Sequence, residues 1–318
     1  MATSSTKKST NVRFFRWAVE VADRLSPTLA SELALRAFLT PARRPRPERE
    51  RALLARARAL PLSAGGLPLA AWSWGGDDDD DATRPTVLLV HGWAGRGAQL
   101  GALVPALVAR GRRVVTWDAP AHGDSPGRTT TLASMAEVLR AVADRLGPIE
   151  AVVAHSFGGA ATTIALARGL TVARAVYVAP LFTIGTTIDR FVHTLGLSRA
   201  AAVELEHGLA HANLARRDDL EGRRLAPAMR TPLLVVHDRD DRDVPYAEGV
   251  ATARTWPGAR LLTTGGLGHR RVLDDAEVVD VIAGFAAGGE PPRELVLDEA
   301  VRLERELANP ERRRVGAT

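Results

Sequence analysis

The sequence predicts an α/β protein: a doubly wound, mostly parallel sheet with a small helical cap and an N-terminal helical extension. Three observations carry this expectation. From residue 86 onward, strand-like and helix-like segments alternate, as right-handed βαβ units require. Most of the strand-like segments are near-continuous β-branched or leucine runs, the pattern of strands buried on both faces of a parallel sheet. The connection over 181–231 is too long for a simple crossover and reads as several short helices, a cap over a site.

Taken in order, residues 1–60 form the extension. Apolar residues at Phe14, Trp17, Val21 and Leu25, then Leu29, Leu33 and Ala37, keep close to a helical period, and Pro27 splits them into two helices. The Pro/Arg stretch 41–47 reads as a linker and 48–60 as a short helix. A strand pair follows around Gly65–Gly66, with "LPLAAWSWG" as its second member. The run Asp77–Asp81 is self-repelling and reads as a solvated loop; it lacks the spaced ligands of a calcium loop. The core occupies 61–180 and 232–290. Its strands are expected at 86–91, 112–118, 149–155, 173–180, 232–238 and 259–264, and its helices at 98–110, 131–146, 157–169 and 246–255. Residues 291–318 close the chain as a C-terminal helix or tail.

The 318 residues are 46 % hydrophobic and 25 % charged, ordinary for a globular protein with a sizeable core. Net charge is +5, but Lys7 and Lys8 are the only lysines and the arginines are interspersed with acids. With no aromatic interleaving near the densest cluster, 41–60, nucleic acid is not an expected partner. Absence of cysteine excludes disulfides, thiolate nucleophiles and Cys-based metal sites, and fits a cytoplasmic location. No run reaches the length of a spanning helix, and Arg13, Arg16, Glu20 and Asp23 interrupt any secretory-type apolar stretch. The basic, Ser/Thr-rich start is similar to a transit peptide, but a free tip leading into an amphipathic helix accounts for it better. That helix could pack on the body, dock a partner or associate weakly with a membrane surface.

In open α/β sheets reactive groups collect at the carboxyl ends of the strands. Here those ends carry "HGWAGRG", "DAPAHGDSPG", "HSFGG", "HDRDDRDVP" and "GGLGHRR". In "VVAHSFGG", Ser156 stands at a strand-to-helix turn with Ala154 two residues before it and Gly158 two after. Small residues at both places let the backbones pass, and a helix starting after Ser156 aims its N-terminal amides at the turn. Taken alone, Ser156 could equally be a helix-capping serine. A hydroxyl nucleophile needs a base, and an acid to orient that base; Asp238, Asp240, Asp241 and Asp243 compete for the second role. His207 and His211 have the i, i+4 spacing of zinc ligands but no obvious third partner, so no metal is expected.

Together these motifs resemble the α/β-hydrolases over about residues 65–287, with a small-x-Ser-x-Gly elbow and reactive residues in the order Ser, acid, His. Ala154 stands where the family more often has glycine. The resemblance implies Ser156 as nucleophile, His269 as base and Asp241 as acid. Asp241 fits a His-Gly-x-x-Asp-x-x-Val-Pro pattern in which Asp238 replaces the glycine, and Asp240 is the second choice. It implies an oxyanion hole from the backbone N–H groups of Trp93 and Phe157. His91 and His122 are expected in structural turns, His155 to project away from the elbow, and "DAPAHGDSPG" to carry no chemistry. The expected activity is hydrolysis of a small-molecule carboxylic ester or thioester through an acyl-enzyme, without cofactor. Phe182, Ile184 and Phe191 are candidate acyl-pocket residues and could equally form the cap's own core. The same groups would serve an acyltransferase, amidase, peptidase or C–C hydrolase, and a catalytically silent binding protein could share the fold.

Overall fold

The computed structural model describes residues 3–76, 84–290 and 296–297, of which 3–12 and 296–297 are described as backbone only. The Asp77–Asp81 run and nearly all of the expected C-terminal helix or tail lie outside these residues. Eleven strands are described: β1 (Arg58–Ala59), β2 (Leu62–Ala64), β3 (Leu67–Leu69), β4 (Ala71–Trp74), β5 (Thr86–Val90), β6 (Arg113–Trp117), β7 (Ile149–His155), β8 (Val172–Val178), β9 (Leu233–Asp238), β10 (Arg260–Thr264) and β11 (Val296–Leu297). Nine of them make one sheet in the order β1-β4-β6-β5-β7-β8-β9-β10-β11, while β2 and β3 form a separate hairpin. From β6 through β5 to β11 the pairs are parallel; β4 is antiparallel to β6 and to β1.

The apolar runs explain the sheet. Leu88, Val90, Val152, Ala154, Ala175, Tyr177 and Val235 enter one hydrophobic cluster. Their alternates Val87, Leu89, Ala151, Val153, Val176, Val178 and Val236 enter the other. Period-two residues that are apolar on both phases need cover on both faces. Helices α4 (Leu103–Val108) and α12 (Ala276–Ala286) cover one face, α5 (Leu132–Leu146), α6 (Phe157–Ala167) and α10 (Tyr246–Thr255) the other.

Between β8 and β9 lie α7 (Ile184–Leu195), α8 (Arg199–Asn213) and α9 (Gly222–Leu225). The N-terminal helices α1 (Thr3–Leu25) and α2 (Pro27–Leu39), divided at Pro27 as the sequence predicts, pack on them. Leu35 fits against Gly208, where an added Cβ would lie 2.8 Å from Leu35 Cδ2. Asp23 accepts hydrogen bonds from the Ser198 amide and hydroxyl at the start of α8. Phe38 meets Phe191 edge to face. Phe14 and Trp17 of α1 remain more than half exposed, with ring centroids 5.7 Å apart.

Three expectations are corrected. Helix α3 (Glu48–Leu54) ends early, and Arg58–Ala59 pairs with β4. "LPLAAWSWG" is two strands, because at Ala70 the chain leaves the hairpin for the main sheet. There the Ala70 amide donates to Ser125 Oγ and its carbonyl accepts from Asp118 N. The 41–47 stretch has no regular structure but is not a free linker. The Arg43 guanidinium donates to the carbonyls of Gly123, Ser125 and Gly127, and Arg46 pairs with Asp118 and Asp124.

Candidate active site

Ser156 immediately precedes α6 with φ 55° and ψ −121°, a positive-φ conformation that costs a non-glycine residue on the order of 1–3 kcal/mol. Its side chain makes no capping hydrogen bond, so helix capping does not explain the serine. The packing around the turn explains its small neighbours. A Cβ on Gly158 would lie 2.7 Å from the His91 carbonyl oxygen, and one on Gly92 would lie 2.9 Å from Ser156 Cβ. The loop after β5 is thereby pressed against the serine, with Trp93 next in line. Phe157 is the first residue of α6, where an amide has no intrahelical acceptor.

The four competing aspartates have distinct places. Asp241 Oδ2 lies 2.7 Å from His269 Nδ1, and its Oδ1 accepts from the amides of Asp243 and Val244. Burial pushes the Asp241 carboxyl upward, but hydrogen bonds from His237, His269 and the Val244 amide together hold it well below the ordinary carboxylate range. It is therefore ionised, and the His269 Nδ1 proton points at it, which leaves Nε2 as the basic nitrogen. Asp238, at the glycine position of the family pattern, accepts from Thr264 Oγ1, the Leu267 amide and the Asp240 amide. It ties the β9 turn to the loop that carries His269. Asp240 accepts from the Gly266 amide, and Asp243 stands 3.5 Å from Arg270.

Two further histidines belong to this arrangement, and neither role has a signal in the sequence. His155 Nε2 donates to the His269 carbonyl at 3.0 Å, with the rings 4.6 Å apart. Burial and the neighbouring His269 push its pKa down to about 3, so it is neutral. His237 Nε2 lies 3.1 Å from the Val244 carbonyl and 3.4 Å from Asp241 Oδ2. His91 and His122 sit in structural turns as expected. His91 donates from Nδ1 to the Gly92 carbonyl and accepts the Ala119 amide at Nε2.

A cleft of about 750 Å³ joins Ser156, His269, Trp93 and Phe157, and is walled by Phe191 of α7 and by Phe38, Pro45 and Glu50 of the N-terminal extension. Behind Trp93 and Phe157 lies a small, almost wholly apolar cavity of about 40 Å³, bordered by Ile184, Ile188 and Leu209. Of the three candidate pocket residues, Phe191 lines the cleft and Ile184 the inner cavity. Phe182 lines neither; it is buried against Gly222, whose amide donates to its carbonyl. A long apolar residue in the cap sequence signals burial without saying whether it faces ligand or protein. Among the described residues no group of three or more His, Asp or Glu is placed to hold a metal ion, and no helix is long and apolar enough to cross a membrane.

A strand-to-helix elbow beneath a cleft, with a carboxylate–imidazole pair beside it, defines a class. A model of the alpha/beta hydrolase family matches residues 87–281, and the chain belongs to that family as a hydrolase. It is 30 % identical over 252 residues to a pimeloyl-[acyl-carrier protein] methyl ester esterase of Xanthomonas campestris, covering 64 % of this chain and 95 % of the relative. It is 34 % identical over 145 residues to the mouse sn-1-specific diacylglycerol lipase ABHD11, a match spanning 44 % of this chain and 47 % of the lipase. Among solved structures, the fold is shared with Est1E from Butyrivibrio proteoclasticus at TM-score 0.56 and 19 % identity, over 79 % of this chain and all of that one. It is shared also with the esterase EaEST from Exiguobacterium antarcticum at TM-score 0.54 and 17 % identity, over 70 % and 96 %.

Proposed function

We propose that the protein hydrolyses a carboxylic ester or thioester through an acyl-enzyme formed on Ser156. The observation that carries this reading is His269, bonded at Nδ1 to the buried Asp241 carboxylate and lining the same cleft as an elbow serine that caps nothing. Ser156 Oγ attacks the acyl carbon while its proton passes to His269 Nε2. The tetrahedral oxyanion takes hydrogen bonds from the Trp93 and Phe157 amides. His269 then returns the proton to the departing alcohol or thiol, and water repeats the cycle to release the acid. The methyl ester named for the Xanthomonas relative and the lipase activity named for the mouse relative favour an ester over an amide. A fluorophosphonate probe should label Ser156 stoichiometrically in folded protein, read by peptide mass spectrometry. Folded protein that stays unlabelled would favour a silent binding role.

We also infer that α1 touches membrane surfaces weakly. Exposed Phe14 and Trp17, one turn apart beside Arg13 and Arg16, suit an anionic lipid interface. Co-sedimentation with phosphatidylglycerol vesicles should fall several-fold in the Phe14→Ser, Trp17→Ser double variant. Equal sedimentation of both proteins would refute the contact.

A further inference from the structure

Two anchors from outside residues 87–281 hold the loop that carries the Trp93 amide. The first is Glu50 of α3. Its carboxylate receives both Nε and Nη2 of Arg96, the latter at 2.9 Å, and both residues are less than one-tenth exposed. The second is Arg46. Its Nη2 lies 2.6 Å from Asp118 Oδ2, and Asp118 Oδ1 accepts the Gly97 amide at 2.9 Å. Neighbouring loop residues 96 and 97 are thus gripped by two carboxylates, one supplied by the extension and the other held by it. The loop has little slack elsewhere: Gly95 N bonds the Gly92 carbonyl, and a Cβ on Gly97 would lie 2.2 Å from Thr116 Oγ1.

A buried bidentate arginine–carboxylate pair fixes orientation as well as distance. An oxyanion donor acts only if its N–H is already aimed where charge will develop. We propose that Glu50, through Arg96, is a positioning residue for the Trp93 amide, and that Arg46, through Asp118, is a second. The N-terminal extension is then part of the machinery that stabilises the transition state, in addition to walling the cleft. This assignment rests on the hydrolase reading above for what the loop does, but not for how the loop is held.

Glu50→Gln keeps the side-chain shape and removes the charge that orients Arg96. It should lower kcat roughly 10–100-fold with KM within about two-fold, since an oxyanion donor contributes about 100–1,000-fold in full and here it is displaced and not deleted. Affinity for a trifluoromethyl ketone, which forms a tetrahedral adduct on the serine, should fall in parallel with kcat. Hydrogen exchange of the 92–97 amides should quicken while that of β7 stays unchanged. The double variant Glu50→Met, Arg96→Met removes both buried charges together, so it retains the fold if the single variant does not, and should show the same kcat loss and the same faster exchange. Wild-type kcat and ketone affinity per folded molecule, with only a lower Tm, would reduce Glu50 to a stabilising contact and overturn the proposal, as would unchanged exchange in the loop. Failure of the wild-type protein to turn over any ester or thioester would overturn the proposed hydrolysis instead, and loop exchange in the variants would still decide whether the extension holds the loop.

Discussion

Replacing Ser156 by alanine should lower ester turnover by a factor on the order of 10,000 or more, with the fold intact. The size follows from losing the covalent route: what remains is water attacking a carbonyl that the cleft merely binds and polarises. The fold should survive because the Ser156 side chain caps nothing, and alanine brings no atom that serine lacks to a turn already at φ 55°. Circular dichroism and Tm should match wild type, and steady-state and single-turnover rates should fall together. Turnover within ten-fold of wild type would exclude Ser156 as nucleophile. Asp241→Asn should be less severe, since His269 remains near the serine and loses only the partner that fixes its tautomer.

Acidification should destabilise the protein steeply, on the neutral side of ordinary acid denaturation. Burial lowers the pKa of His91 to about 4, of His122 to about 3 and of His155 to about 3, each from a usual value near 6.5. His91 is further disfavoured by Arg96 and Arg46, and His122 and His155 by a neighbouring imidazole. The folded pKa values lie below the unfolded ones, so from pH 6.5 down to about 4 for His91 and about 3 for His122 and His155 the unfolded chain binds protons that the folded chain refuses. Stability therefore rises with pH through this window, and its full value is present only above pH 6.5. By pH 5 the three rings together should remove on the order of 5 kcal/mol, comparable with the total stability of many domains. Asp241 adds no loss there, since its carboxyl holds below the usual range and gives up its contribution only at stronger acidity. Urea unfolding at pH 7, 6 and 5 measures this directly; a midpoint constant across that range would mean that the three rings protonate freely in the folded state.

What the sequence disclosed and what it withheld divide along physical lines. Five of the six core strands were legible because residues apolar on both phases of a period-two pattern can lie only between two helical layers; the sixth, β10, was legible from its place in the alternation. The two-residue strands β1 and β11 carry no such period and came only with their partners. Ser156, Asp241 and His269 were legible as neighbours because each follows a strand, and strand ends in a parallel sheet share one edge. Among four aspartates the choice needed coordinates: a shift of one residue turns a carboxylate from His269 to the Gly266 amide, as Asp240 shows. Glu50 was hidden for a different reason. It lies 46 residues before Arg96, in a charged helix whose composition matches any solvated surface, and only folding brings the two together. His155 was read only as projecting away from the elbow, with no partner assigned. Its ring does turn from the elbow, but it turns onto the backbone of His269.

The position of β7 in the sheet has an implication for how this protein could be altered. As the fifth of nine strands, it divides the sheet evenly, four strands to each side of Ser156. On one side lies the machinery that holds the Trp93 amide, drawn from residues 46–118; on the other lies everything assigned to proton handling, drawn from 237–269; the second oxyanion amide, of Phe157, follows β7 itself. Helices α7–α9 fall between these two blocks in the chain and between neither in the sheet. The cap's share of the cleft wall is thus a separable block of chain. Exchanging residues 184–228 for another lid would replace Thr187, Arg190, Phe191 and Thr194 of the cleft wall while leaving both halves of the chemistry on the strands that already hold them.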